Sequence, residues 1–96
     1  GDVFRQAEKE FSAYNFEYAN IDSLFKMFDM LESEAKSLVE KKIPLPAYDQ
    51  CLKASHIFNI LDARGVISVV QRAEYIGRIR DITKAVAENW LNSQTE

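Results

Sequence analysis

Apolar residues recur along this 96-residue chain at steps of three and four, in four stretches separated by polar or proline-bearing runs. That period belongs to helices with one buried stripe, and the alternation of a half-buried strand is nowhere sustained. The first stretch predicts a helix over Asp2–Ala13, capped by Asp2, with Val3, Phe4, Ala7, Phe11 and Tyr14 on one face. Asn15 to Tyr18 reads as a connector pinned by Phe16 and Tyr18. The second helix follows Asn20 as its cap. Its stripe is Ile21, Leu24, Phe25, Phe28, Leu31, Ala35, Leu38 and Val39, and Lys41-Lys42 end it where cations suit the negative end of the helix dipole. Pro44 and Pro46 stop it.

Pro46 sits near the start of a third helix, where its missing N–H costs nothing. That helix is expected over Ala47–Ala63, with Tyr48, Cys51, Leu52, Phe58 and Leu61 as its apolar face. Gly65 follows as a C-terminal residue of positive φ. Ser68 and Gln71 make a capping box for a fourth helix. Its core stripe is expected to be Val69, Ala73, Ile76, Ile79, Thr83, Val86, Ala87 and Trp90. Glu32–Lys36 and Glu74–Arg78 are spaced as outward-facing i,i+4 ion pairs. Gly77 costs ~1 kcal/mol inside a helix, and a close helix–helix approach is its expected compensation. Short connections favour antiparallel neighbours, so the fold class is all-α: a small bundle of about four helices forming one domain over residues 1–96.

Charge refines this picture only slightly. Residues 1–50 carry six Lys and Arg against ten Asp and Glu, and residues 51–96 carry six against five. The formal net charge of −3 disfavours a primary nucleic-acid-binding module, because non-specific affinity comes largely from phosphate neutralisation. No apolar run approaches the roughly 18 residues of a membrane span. One cysteine excludes an internal disulfide, and one Cys with one His cannot build a Cys/His zinc site. Cys51 reads as a buried thiol in a reducing compartment.

The densest candidate chemistry lies in Lys53, Ser55, His56, Asn59, Asp62 and Arg64. A Ser-His-Asp hydrolase site does not fit this spacing. Ser55 and His56 are adjacent, so their side chains diverge by about 100° on a helix, and no strand-to-helix elbow exposes a nucleophile. Ser55, Asn59 and Asp62 do share a stripe. A polar stripe beside a core face commonly forms a hydrogen-bond network, which His56 and Arg64 flank and in which Arg64 or Arg72 can pair with Asp62. Contact with a partner chain or RNA is the alternative. Arg72, Arg80 and Lys84 lie roughly together on the fourth helix. They read either as a solvated, ion-paired face or as a contact for tRNA or a subunit. Only Gly1, Gly65 and Gly77 are glycines, too far apart for a phosphate-binding loop.

One long run carries a further signal: Leu45-Pro46-Ala47-Tyr48-Asp49, then Leu52-Lys53-Ala54-Ser55-His56, then Phe58-Asn59-Ile60-Leu61-Asp62-Ala63-Arg64-Gly65, then Ile67-Ser68. Tyr14-Asn15-Phe16-Glu17-Tyr18-Ala19 stands before it, and Arg72, Tyr75-Ile76 and Arg78-Ile79-Arg80 after it. In this pattern the chain resembles the C-terminal region of the alpha subunit of bacterial heterotetrameric glycyl-tRNA synthetase, over nearly its whole length. The resemblance fades after about Asn92, where the tail is shorter and more polar than the family's.

The resemblance implies a cytoplasmic alpha2-beta2 ligase whose alpha subunit activates glycine with ATP and Mg2+ on a class II core. None of the three class II motifs occurs here, so the chain is expected to be the helical extension that follows the core. It would hold no catalytic, cofactor or metal residue of its own. Its implied partners are the catalytic core, the beta subunit and glycine tRNA. Phe16, Tyr18, Met27, Met30 and Trp90, at the edges of the apolar stripes, are candidate docking positions. A free-standing helical adaptor, or an RNA-contacting helical module, is the alternative reading.

Overall fold

A computed structural model describes residues 2–14 and 20–95. Four α-helices follow one another: α1 (Asp2–Ala13), α2 (Ile21–Glu40), α3 (Pro44–Ala63) and α4 (Val69–Thr95). No strand occurs among the described residues. The connector of Phe16 and Tyr18 lies outside the described residues, as does the side chain of Asp2. Helices α2, α3 and α4 pack on one another as an up-down-up bundle, and α1 packs on none of them among the described residues.

The ends of the helices follow from local chemistry. The Ser23 N–H donates to Asn20 Oδ1 at 2.9 Å, the side-chain cap expected for α2. At the other end Lys42 N–H donates to the Val39 carbonyl and Ile43 N–H to the Leu38 carbonyl. These two bonds define a Schellman motif, which places Lys42 in the left-handed region at φ 62°. The third helix then starts three residues earlier than the sequence suggests, at Pro44. Both prolines fall in its first turn, where a missing N–H leaves no helical bond unmade. Gly65 has φ 70°, and its N–H donates to the Asp62 carbonyl at 3.1 Å. Ser68 and Gln71 exchange the two bonds of the capping box, at 3.0 and 3.1 Å, and α4 begins.

The core has two halves. Near the N-terminal end of α2, Leu24 and Phe28 meet Ala54, Ile57, Phe58, Ile60 and Leu61, with Tyr75 and Ile79 of α4 packed against them. Further along, Ala35, Ala47, Cys51, Ile82 and Val86 make a second cluster. The small side chains there suit a close approach of all three helices. Burial raises the pKa of the Cys51 thiol.

Two stripes differ from expectation. On α3 the buried face is Ala47, Cys51, Ala54, Ile57, Phe58, Ile60 and Leu61, whereas Tyr48 and Leu52 are exposed. On α4 the inward stripe is Tyr75, Ile79, Ile82 and Val86, flanked by half-buried Arg78 and Asn89. Ala73, Ile76, Thr83, Ala87 and Trp90 face outward instead. The helix is rotated by roughly a third of a turn from the expected setting, at about 100° per residue. Tyr75 drives that rotation. Its ring sits 4.8 Å from Phe28, edge-on, and 6.0 Å from Phe25 and Phe58, and such aromatic pairs add to plain area burial. Gly77 faces open space, since a Cβ there would meet nothing within 4 Å, so it marks no close approach.

Candidate docking surface

The rotation of α4 creates its most notable surface. Val69, Ala73, Ile76, Arg80, Thr83, Ala87 and Trp90 recur at alternating steps of four and three, the register of a coiled-coil seam. All are exposed, with Val69 at 87% and Trp90 at 44%. Val70 and Leu91 widen the stripe. A helix with apolar positions on two faces has more sites for packing than its own bundle uses. Arg80 and Lys84 lie along this outer stripe, and both are exposed. Arg72 flanks it and contacts Asp62 at 3.4 Å from Nε to Oδ2, with both side chains well exposed.

The polar stripe of α3 falls next to this surface. The structure brings Asp62 to Arg72, one of the two arginines named for it, through a single contact and not a fork. Ser55 and Arg64 are half-buried, and Asn59 and His56 are exposed. Among the described residues no hydrogen bond joins Ser55, His56 or Asn59 to the Asp62–Arg72 pair. His56 borders a shallow depression with Met27, Leu31, Leu52, Lys53 and Ile57.

On the opposite flank of α4, Arg78 does what the sequence reading missed. Its Nε donates to Glu32 Oε2 at 2.9 Å, its Nη2 to Glu32 Oε1 at 2.6 Å and to Asp29 Oδ1 at 2.8 Å. The guanidinium also lies over the rings of Phe28 and Tyr75, at 4.8 and 4.9 Å. The expected outward partner, Glu74, is not the one it takes, and Glu32 likewise turns from Lys36 to Arg78. The Arg78 hydrogen bonds hold the Glu32 carboxyl below its ordinary value, against the opposing effect of burial. The same bonds raise the guanidinium's own pKa. A signal was available: Arg78 stands three residues after Tyr75 and four before Ile82, on the inward side.

Among the described residues no group of three His, Cys, Asp or Glu could hold a metal ion. Neither described glycine opens a phosphate-cradling loop. No helix is long and apolar enough to cross a membrane, among the described residues.

These features define a helical bundle locked by an arginine fork and carrying an exposed seam of mostly apolar residues interrupted by Arg80 and Thr83. The family model described as glycyl-tRNA synthetase alpha subunit matches residues 1–95. The chain belongs to the glycyl-tRNA synthetase alpha subunit family, a family of aminoacyl-tRNA ligases.

Proposed function

We propose that this segment is an assembly and docking domain of a glycyl-tRNA synthetase alpha subunit. In this reading it follows a class II core that activates glycine with ATP and Mg2+, in a cytoplasmic alpha2-beta2 enzyme. Its work is to hold the beta subunit, and through it the tRNA, in place relative to that core. The observation that carries the reading is the outer seam of α4 from Val69 to Trp90. Its apolar residues fall in two groups, Val69, Ala73 and Ile76 and then Ala87, Trp90 and Leu91, and exposed apolar groups of this kind on a small domain support an interaction site. Aromatic residues such as Trp90 are the usual anchors of such sites.

RNA contact is the second reading, favoured by Arg80 and Lys84 on the same surface. The exposed acids Asp81 and Glu88 stand beside these cations and disfavour a phosphate backbone, and Arg72 already faces Asp62. Paired titrations of the 96-residue chain test the choice, one with purified beta subunit and one with glycine tRNA, each at two salt concentrations. Docking predicts measurable beta binding with weak salt dependence, and tRNA binding that is weak and vanishes as salt rises. Tight tRNA binding without beta binding would reverse the ranking. A free-standing adaptor would instead be indicated by a gene with no class II motifs upstream of this segment.

A further inference from the structure

Asn89 and Trp90 are neighbours on α4, and it is the polar one that turns inward. The Asn89 Nδ2 donates to the Val39 carbonyl at 3.2 Å, but its Oδ1 is buried and has no hydrogen-bond partner among the described residues. That carbonyl already accepts the Lys42 N–H. Turning the amide over would set Oδ1 against the carbonyl and orphan the NH2 instead, so one amide group is unsatisfied either way. A buried polar atom without a partner is costly. Trp90, meanwhile, is 44% exposed.

One residue step turns an α-helix by about 100°. Such a step in α4 would replace inward Tyr75, Ile82 and Asn89 by Ile76, Thr83 and Trp90. Ile79 and Val86 lie between the two stripes and stay inward in both settings. At the first two exchanges the observed setting is the better one. Tyr75 packs on Phe25, Phe28 and Phe58, and Ile82 is buried where Thr83 would bring a hydroxyl into the core. At the third the preference reverses. Burying Trp90 would remove a large apolar area from water, and freeing Asn89 would return its amide to solvent.

Arg78 opposes the step. Its guanidinium is tied by two bonds to Glu32 and by one to Asp29, both on α2. The step would carry it away from both and out to water. We infer that α4 has two rotational settings one residue apart, and that the Arg78 fork is the latch that holds the observed one, keeping Ile76 and Trp90 outward. A partner seated on Trp90, as in the docking reading, binds only the latched setting and reinforces it. The emission of Trp90 reports the setting with no partner present, so the latch and the docking reading fail separately.

Trp90 is the only tryptophan of the 96-residue chain. Asp29→Asn/Glu32→Gln removes both carboxylates and leaves a half-buried cation without its counter-charges, which favours turning Arg78 to water. Both changes lie on α2, against Arg78, which is about 18 Å from Trp90 along α4 at 1.5 Å per residue. The expected result is retained helicity by circular dichroism, Trp90 emission shifted to shorter wavelength, and an acrylamide quenching constant reduced at least twofold. Adding Asn89→Leu removes the orphaned amide and should return emission and quenching to their wild-type values. An Asp29→Asn/Glu32→Gln variant that unfolds, or that stays helical with Trp90 as accessible as before, overturns the proposal. So does a shift that Asn89→Leu fails to reverse.

Discussion

Arg78 and Glu32 are 46 residues apart in sequence and are joined by two parallel hydrogen bonds across the α2/α4 interface. Glu32 is 12% exposed and Arg78 34%, so this pair is shielded in a way that surface ion pairs are not. A bidentate fork over two aromatic rings fixes the rotation of α4 as well as its distance. It thereby decides which of the helix's two apolar faces is buried and which is offered outward.

Glu32→Gln should destabilise the fold by about 1–2 kcal/mol at neutral pH, a figure tempered by the partial exposure of Arg78. The pH dependence has a definite sign. The Glu32 pKa is lowered from its ordinary 4.5, chiefly by the Arg78 hydrogen bonds. An acid lowered in this way stabilises fully above its unfolded value and loses that contribution as pH falls through its folded value. The gap between wild type and Glu32→Gln, followed by denaturant melts, should therefore shrink below about pH 4.5. A gap that stays constant into strong acid would assign the cost to shape instead of charge.

Three backbone positions should respond in different directions. Gly65→Ala should destabilise by ~1 kcal/mol or more, from its positive φ alone, since no neighbouring atom opposes a Cβ. Gly77→Ala should stabilise by about 1 kcal/mol, because a helical glycine facing open space gains propensity at no steric cost. Lys42→Gly should also stabilise, by several tenths to 1 kcal/mol, by relieving a left-handed φ at the Schellman turn. Thermal melts of the three variants check all three signs.

Much of the fold was legible from periodicity and caps. Asn20, Gly65 and the Ser68–Gln71 box mark their helix ends because capping is a matter of adjacent residues. The setting of α4 was not legible, since its apolar positions describe two stripes and local pattern cannot rank them. Tyr75 and Arg78 settle that ranking through contacts with Phe28 and Glu32, which only the assembled bundle supplies. The α2/α3 turn was misjudged for a related reason. Pro46 was legible as a residue at the start of α3, but Pro44 read only as the stop of α2, whereas it is itself the first residue of α3. Of the candidate site, the Asp62–Arg72 pairing could be read from the sequence, while the exposure of His56 and Asn59 could not.

The chain alone should show no glycine-dependent ATP–pyrophosphate exchange, because none of the three class II motifs occurs in its sequence. Exchange above a buffer control, with contaminating enzyme excluded, would contradict the assignment of catalysis to another part of the subunit.

Binding of the purified beta subunit to two variant sets tests the docking account most directly. One set is Ile76→Ala with Trp90→Ala, and the other replaces Arg80 and Lys84 by Gln. All four residues are on the exposed side of α4. The account predicts that the apolar pair weakens beta binding by tenfold or more, as loss of a buried aromatic anchor does. The cation pair should change it little beyond its salt dependence. Unaltered beta binding in Ile76→Ala/Trp90→Ala, with glycine tRNA affinity lost in the Arg80 and Lys84 variant, would contradict it.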